Sequence, residues 1–252
     1  MPAPILMVHG AFSGGWSFDA FKAPFVAAGH LCATPDLPGH GADSAAVASF
    51  SMTDYASAIA AQIEQSSEPP VVIGHSMGGL VALMAAARAK VSGLVLIAPS
   101  SPWGIAANTL EGAAVAFGMI GLNAYWGQAV PPDRQAFEAL SVDRMAEADR
   151  KAIFARLGPE SGRAISETIN WWLDPSMTTR VSPEDIDAPV LLLAGGRDHV
   201  QSLATLRQTA ERYSADLEVF PQMSHWLIGE PGWEAVADAA LSWIPGALRA
   251  AA

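Results

Sequence analysis

The chain has 252 residues, of which 51% are hydrophobic and 15% are charged, and its formal net charge at pH 7 is -11. This composition suits one large α/β domain, or a domain with an insertion, and argues against disorder. The negative charge argues against nucleic acid and against an anionic membrane surface as partners, because phosphates would be repelled. The single cysteine, Cys32, excludes an internal disulfide.

No targeting or membrane segment is predicted. Pro2 and Pro4 lead directly into an apolar run at residues 5–8, without the basic start and long apolar region of a signal peptide. The longest apolar candidate, residues 112–122, is about half as long as a bilayer requires. We therefore expect a cytoplasmic protein without a membrane span.

The first part of the chain alternates predicted strands and helices. In chain order these are a strand at residues 5–8, a helix at 17–28, a strand at 31–34, a helix between Thr53 and the prolines at 69–70, a strand at 71–73, a helix at 80–89 and a strand at 91–98. Ser17 and Thr53 are the predicted N-caps. Apolar strands that alternate with helices predict a doubly wound, mostly parallel sheet with right-handed crossovers.

This alternation stops after the strand at 91–98. From about residue 100 to residue 183 the pattern is helical and no strand-like run occurs, although four of the eight tryptophans lie there. We predict an inserted helical cap at residues 100–183, between core segments at 1–99 and 184–252. The sheet then resumes, with a strand at 189–194, a helix at 203–213, a strand at 217–220 and a closing helix at 233–243. The alanine-rich end after Pro245 is expected to fray.

The predicted strand at 71–73 runs directly into a Gly-x-Ser-x-Gly pattern at residues 74–78. A sharp strand-to-helix turn of this kind projects a serine hydroxyl clear of the backbone, and glycines avoid the collisions that Cβ atoms would cause. The alternative is a glycine-rich turn that merely precedes a helix. The flanking strand and helix favour Ser76 as a nucleophile, with the Met77 N–H at the helix start as an oxyanion donor.

A serine nucleophile needs a base, and the base needs an orienting carboxylate. In open α/β sheets such residues follow the carboxyl ends of strands. Of the six histidines, His225 is the best placed base, because it follows the last predicted strand. Asp198 follows the strand at 189–194 and is the predicted carboxylate, so the order along the chain is Ser76, Asp198, His225.

Alternatives compete at several of these positions. Asp198 could instead cap the next helix, and Asp36 also follows a strand, although it is better explained as an Asx-type brace for its own turn. The Ala11 amide, in a glycine-rich loop, is the second predicted oxyanion donor, against the alternative of a simple turn. His199 has no further ligands at metal-site spacing, so neither a metal nor a cofactor is predicted.

Together these residues resemble the α/β-hydrolase fold family over essentially the whole chain. The resemblance is carried by His9-Gly10, Asp36-Leu37-Pro38-Gly39-His40-Gly41, the elbow at 74–78, Asp198 and His225. Residues 9–18 look like the plant methyl esterase and hydroxynitrile lyase branch, which implies six parallel strands rather than eight. The chain departs from the lyases at Gly10, where they carry Thr, and at Trp226, where they carry Lys.

We therefore expect a serine hydrolase that cleaves a carboxylic ester or lactone of a small to medium hydrophobic substrate through an acyl-enzyme. A carbon–carbon bond hydrolase, a hydroxynitrile lyase and a cofactor-free haloperoxidase are alternatives on the same three residues. A non-catalytic small-molecule receptor is disfavoured, because such receptors often lose one member of the triad. The side chains predicted to line the substrate pocket are Phe12, Trp103, Phe117, Trp126, Trp171, Trp172 and Trp226.

Overall fold

A computed structural model gives the fold of residues 2–106 and 126–250. The described strands are, in chain order, β1 (Ile5–Val8), β2 (Cys32–Ala33), β3 (Val71–His75), β4 (Gly93–Ile97), β5 (Ala129–Val130), β6 (Glu160–Ser161), β7 (Val190–Gly195) and β8 (Asp216–Phe220). Six of them form one sheet in the order β2-β1-β3-β4-β7-β8, in which every neighbouring pair is parallel. The predicted sheet of six parallel strands is confirmed.

Helices cover both faces of this sheet. The described α-helices are α1 (Ala23–Ala27), α2 (Met52–Glu64), α3 (Met77–Ala86), α4 (Arg134–Leu140), α5 (Glu147–Phe154), α6 (Gly162–Ile169), α7 (Leu203–Arg212) and α8 (Trp233–Ala250). Leu6 and Val8 pack with α2, α3 and α7, whereas Ile5 and Met7 pack with α1 and α8. Because side chains alternate between the faces of a strand, a strand covered on both sides is apolar throughout, as β1 is.

Several predicted boundaries are wrong. Ser17 does not cap a helix; it lies in a 3-10 turn at Gly15–Phe18, and its hydroxyl donates to the Gly14 carbonyl at 2.8 Å. The α-helix begins later, with a proline in its first turn, where the missing N–H costs nothing. Strand β2 is only two residues long. The sequence predicts fraying after Pro245, but helix α8 continues to Ala250.

The N-cap of α2 is Ser51 and not the predicted Thr53. The Ser51 hydroxyl accepts the Asp54 amide at 3.1 Å, and the Asp54 carboxylate accepts the Ser51 amide at 2.8 Å. This reciprocal capping box satisfies two donors that a helix start leaves without partners. Thr53 is exposed in the first turn.

The chain between β4 and β7 contains the insert, defined here as residues 100–183. It holds helices α4, α5 and α6, but it also holds β5 and β6, which pair in antiparallel fashion and contradict the prediction of an insert without strands. Two-residue strands are too short to produce a readable alternation in the sequence. Residues 107–125, which include the predicted pocket residue Phe117, lie outside the described part. Of the described helices, none combines the length and apolar character that a membrane crossing needs.

The capping assignment makes a direct prediction about stability. Ser51→Ala should lower the free energy of unfolding by about 1 kcal/mol, because the Asp54 amide loses its acceptor. Thr53→Ala is the matched control and should change it by less than about 0.5 kcal/mol, since Thr53 is exposed. Urea unfolding of both variants measures these changes, and equal losses would contradict Ser51 as the cap.

Candidate active site

Ser76 lies at the apex of the turn between β3 and α3, with φ +55° and ψ -125°. This backbone conformation is strained for a residue with a side chain, so the surrounding structure must hold it. The Ser76 amide donates to the Ile97 carbonyl at 3.0 Å, and the Ser76 carbonyl accepts the Gly79 and Ser100 amides, both at 2.9 Å. Hydrogen bonds on both sides of the residue therefore fix the direction of its hydroxyl.

The two glycines of the elbow allow three backbone segments to meet. A Cβ atom at Gly74 would lie 2.3 Å from the Gly78 carbonyl oxygen, and one at Gly78 would lie 2.2 Å from the His9 carbonyl oxygen. Neither position can hold a side chain unless the backbone of α3 or of the chain after β1 moves. The pattern at residues 74–78 thus reflects a packing requirement.

The side chains predicted as a triad lie in a hydrogen-bonded row. His225 Nε2 is 2.9 Å from Ser76 Oγ, and His225 Nδ1 is 2.9 Å from Asp198 Oδ2. His225 and Asp198 are buried, whereas Ser76 is half-buried. With the proton of a neutral imidazole on Nδ1, Nε2 is able to accept the proton of the serine hydroxyl.

Asp198 also caps its own loop, because its two oxygens bind different partners. Oδ1 accepts the amides of Val200 at 2.7 Å and Gln201 at 2.8 Å, which directs Oδ2 to His225. Asp36, the competing carboxylate, accepts the Gly15 amide at 2.8 Å. It therefore braces the loop after β1. A Cβ atom at Gly41 would lie 2.3 Å from Asp36 Oδ2, so Asp36 also lies against its own turn, and its role as a brace of that turn stays a prediction.

The loops that carry Asp198 and His225 are joined to each other. The Arg197 amide donates to the Met223 carbonyl at 2.9 Å, and a Cβ atom at Gly195 would lie 2.1 Å from the Ser224 carbonyl oxygen. Glu230 holds the second loop, because its Oε1 accepts the Ser224 amide at 2.8 Å. Burial raises the pKa of Glu230 to about 7.

Two buried histidines beside the row are neutral at pH 7. Burial, together with the charge of His225, lowers the pKa of His75 to about 3, and its Nε2–H donates to the His225 carbonyl at 2.8 Å. Burial and the neighbouring His40 lower the pKa of His9 to about 4, and His9 Nε2 accepts the Leu37 amide at 2.9 Å. Both rings therefore bind backbone groups.

The two amides predicted as oxyanion donors belong to Met77, which follows Ser76 in the chain, and to Ala11 in the loop after β1. Met77 is the first residue of α3, so its N–H has no acceptor within the helix. Within the described residues, the Ala11 N–H has no hydrogen-bond acceptor either. The loop that carries Ala11 passes close to Ser76, since a Cβ atom at Gly10 would lie 3.1 Å from Ser76 Cβ.

Two of the predicted pocket residues, Phe12 and Trp226, directly follow Ala11 and His225 in the sequence. Phe12 is half-buried with φ +62°, and its amide donates to Glu160 Oε2 at 3.2 Å. No local sequence pattern points to Glu160, since the two residues are 148 positions apart in the chain. Trp226 is buried, and its ring centroid lies 5.5 Å from that of His75 and 5.8 Å from that of Phe137.

The other predicted pocket residues belong to the insert. The rings of Trp103 and Trp171 meet edge to face, 5.5 Å apart. Trp126 and Trp172 expose 54% and 46% of their surface, which places them at the outside of the insert and not in an enclosed wall. Phe117 is not among the described residues. Within the part of the chain that the structure describes, no group of three or more His, Cys, Asp or Glu is arranged to hold a metal ion.

Comparison with known proteins identifies relatives. Residues 5–239 match the alpha/beta hydrolase family. A pimeloyl-[acyl-carrier protein] methyl ester esterase of Neisseria meningitidis serogroup C is 32% identical over 204 residues, which cover 78% of this chain and 75% of that protein. A monoacylglycerol lipase of Mycolicibacterium smegmatis is 25% identical over 257 residues and 95% and 87% of the two chains. The structure of a methylesterase from Arabidopsis has the same fold, with a TM-score of 0.73 at 17% identity over 96% of this chain and 99% of that one.

The lowered pKa of His75 makes stability depend on pH. Between pH 3 and 6.5 the unfolded chain binds a proton at His75 that the folded chain does not, so folded-state stability is lost as the pH falls. Each pH unit below 6.5 removes up to about 1.4 kcal/mol through this residue.

His75→Gln keeps a donor for the His225 carbonyl but does not titrate. From pH 7.5 to pH 5, the wild type should lose up to about 2 kcal/mol more stability than this variant, as measured by urea unfolding. Thr53→Ala gives the control, because it replaces an exposed residue that does not titrate, and it should keep the wild-type dependence on pH. The same dependence in His75→Gln as in the wild type would contradict the prediction.

Proposed function

This chain belongs to the alpha/beta hydrolase family, and we propose that it is a serine hydrolase that cleaves a carboxylic ester or lactone of a small to medium hydrophobic substrate. The observation that carries the proposal is the row of Ser76, His225 and Asp198, joined by two contacts of 2.9 Å. Relatives named as an esterase and a lipase support the reaction class. The proposed reaction uses no metal and no cofactor.

In the proposed first step, Ser76 Oγ attacks the carbonyl carbon of the substrate while His225 Nε2 takes the hydroxyl proton. Asp198 keeps the Nδ1–H of His225 oriented and stabilises the imidazolium that forms. The N–H groups of Ala11 and Met77 bind the oxyanion of the tetrahedral intermediate. His225 then gives the proton to the departing alcohol oxygen, and the acyl group remains on Ser76.

The second step returns the enzyme to its starting state. His225 takes a proton from a water molecule, whose oxygen attacks the acyl carbonyl carbon and forms a second tetrahedral intermediate. When this intermediate collapses, the bond to Ser76 Oγ breaks and His225 returns the proton to that oxygen. The products are the carboxylic acid and the free serine.

We also propose that the insert caps the site and shapes the substrate. Its first residue, Ser100, donates its amide to the Ser76 carbonyl, and the Gly158 amide donates to the Phe12 carbonyl, both at 2.9 Å. These contacts tie the insert to the elbow and to the loop after β1. The predicted pocket residues that are described and not mostly exposed favour hydrophobic substrates, in line with relatives named for acyl esters. They are Phe12, Trp103, Trp171 and Trp226.

Two residues favour hydrolysis over cyanohydrin cleavage. The lyases that the chain resembles carry a cation after the catalytic histidine, but Trp226 is uncharged and packs against His75 and Phe137. Gly10 replaces their threonine, and even a single Cβ atom there would lie only 3.1 Å from Ser76 Cβ. The site therefore lacks both groups that the lyases use on their substrate.

Replacing residues of the hydrogen-bonded row should lower the activity, and the loss should be largest at Ser76. Ser76→Ala should leave only background turnover and should prevent labelling by a serine-directed phosphonate. Asp198→Asn should lower kcat by about 10³- to 10⁴-fold, because an amide that faces His225 Nδ1 favours the wrong tautomer. Asp36→Asn is the control for the competing carboxylate, and it should retain most of the activity. A larger loss in Asp36→Asn than in Asp198→Asn would reverse the assignment.

A substrate screen tests the reaction class. Esters of graded acyl length and bulk, lactones and mandelonitrile should be compared by product release, with Ser76→Ala as the blank. We expect turnover of hydrophobic esters or lactones, with a burst of alcohol equal to one enzyme equivalent where deacylation is slow. Cleavage of mandelonitrile that depends on Ser76, with no turnover of any ester or lactone, would show that the protein is a lyase.

A further inference from the structure

Phe12, which follows the proposed oxyanion donor Ala11, has a backbone conformation that other residues must maintain. Its φ of +62° lies in the left-handed region, which is unfavourable for a residue with a bulky side chain. Two hydrogen bonds hold it, and both come from the insert. Glu160 Oε2 accepts the Phe12 amide at 3.2 Å, and the Gly158 amide donates to the Phe12 carbonyl at 2.9 Å.

Glu160 is buried in β6 and binds four donors. Its Oε2 accepts from the Phe12 amide and from His40 Nε2 at 3.0 Å. Its Oε1 accepts from the Tyr55 hydroxyl at 2.6 Å and from the Ser161 amide at 2.8 Å. A carboxylate has about four acceptor positions, so every one is occupied. Glu160 thereby joins the insert to α2, to the turn that contains His40 and to the loop after β1.

This buried glutamate is ionised at neutral pH. Burial acts to raise the pKa of Glu160, but the hydrogen bond and charge of His40, together with the hydrogen bonds of Tyr55 and the Ser161 amide, outweigh it and hold the pKa below its usual value. Burial likewise acts to lower the pKa of His40, and Glu160 outweighs it and raises that pKa. A hydrogen bond to an ionised carboxylate is stronger than a neutral one, which suits a role in holding a strained backbone.

A second contact also joins the part of the insert near Glu160 to the loop after β1. The Arg156 guanidinium lies over the Trp16 ring at 4.2 Å from its centroid, and it also lies 3.4 Å from the Asp19 carboxylate. Residues 156–160 of the insert therefore run along residues 12–19. The conformation of the loop after β1 depends on the insert at more than one point.

Glu167 shows that not every buried glutamate of the insert acts in this way. It is also almost fully buried, and it accepts the Met52 amide and the Arg163 guanidinium, both at 2.8 Å. These contacts support the start of α2 and not the loop that carries Ala11. The two glutamates are similarly buried, but they hold different parts of the core.

We propose that Glu160 is a positioning residue for the oxyanion hole. By holding Phe12 in its left-handed conformation, it directs the neighbouring Ala11 N–H towards the oxyanion that forms on Ser76. This inference rests on the proposed function, because it assigns a role within that same site. The oxyanion exists only in the transition state and the tetrahedral intermediate, so loss of Glu160 should lower kcat and leave KM nearly unchanged.

The kinetic test compares Glu160→Ala with Glu167→Ala. Glu160→Ala should lower kcat for a chromogenic ester by about 10- to 100-fold, the range expected for a displaced catalytic donor. Glu167→Ala should keep kcat near the wild-type value even if it lowers the melting temperature. A folded Glu160→Ala protein with wild-type kcat, or equal losses of kcat in both variants, would overturn the inference.

An inhibitor gives a second readout that does not depend on turnover. Ser76 Oγ adds to the carbonyl carbon of an aryl trifluoromethyl ketone, the hydroxyl proton passes to His225, and the ketone oxygen becomes an oxyanion. Glu160→Ala should weaken binding of this ketone by the same factor as it lowers kcat, whereas Glu167→Ala should not. Unchanged affinity for the ketone in Glu160→Ala would count against the positioning role.

A pair of variants at residue 158 covers the case in which Glu160→Ala does not fold. Gly158→Pro removes the N–H that binds the Phe12 carbonyl, whereas Gly158→Ala keeps it and places a methyl group in open space. A loss of kcat in Gly158→Pro but not in Gly158→Ala supports positioning of the loop by the insert. Unchanged kcat in Gly158→Pro would overturn it.

A failure of the proposed function can be distinguished from a failure of this inference about Glu160. The wild-type protein would then show neither ester turnover nor a phosphonate label on Ser76. In that event, amide hydrogen exchange in peptides covering residues 9–16 decides the inference. Faster exchange in Glu160→Ala or Gly158→Pro than in the wild type supports the hold of the insert on this loop, and unchanged exchange overturns it.

Discussion

The close approach of three backbone segments at the elbow is the constraint on which the rest of the site depends. The positions of Gly74 and Gly78 leave no room for a Cβ atom between β3, α3 and the chain after β1. The chain after β1 continues into the loop of Ala11, which passes close to Ser76, since a Cβ atom at Gly10 would lie 3.1 Å from Ser76 Cβ. The strained backbone of Ser76 persists because strand and insert backbone groups bind its amide and carbonyl.

Buried carboxylates organise the loops around this elbow in a common way. Asp198, Glu160 and Glu230 each accept at least one backbone amide. The other oxygen of Asp198 binds His225, and the second oxygen of Glu230 lies 3.7 Å from Arg144 Nε. Because a buried carboxyl group must be hydrogen-bonded, these residues fix loop conformations that apolar contacts alone would not determine. The negative charge of Glu160 thus has a structural use.

The fold does not determine the reaction, because this architecture supports many chemistries. The proposal for this chain rests on side chains that the fold brings together and on the insert that contacts them. The insert reaches the elbow through Ser100 and the loop after β1 through Gly158 and Glu160. A segment that shapes the substrate site and also holds the loop after β1 would link substrate recognition to the rate of the chemical step.

The sequence by itself determined the parallel sheet, the elbow and the candidate row of Ser76, Asp198 and His225. Each of these has a local signal, since apolar strands, a glycine-flanked serine and polar residues after strands can be read within a few positions. Only the tertiary structure decided that Asp36 braces Gly15, that β5 pairs with β6, and that Glu160 holds Phe12. Those partners are far apart in the chain, and packing of the insert on the core, not local periodicity, brings their hydrogen-bonding groups together.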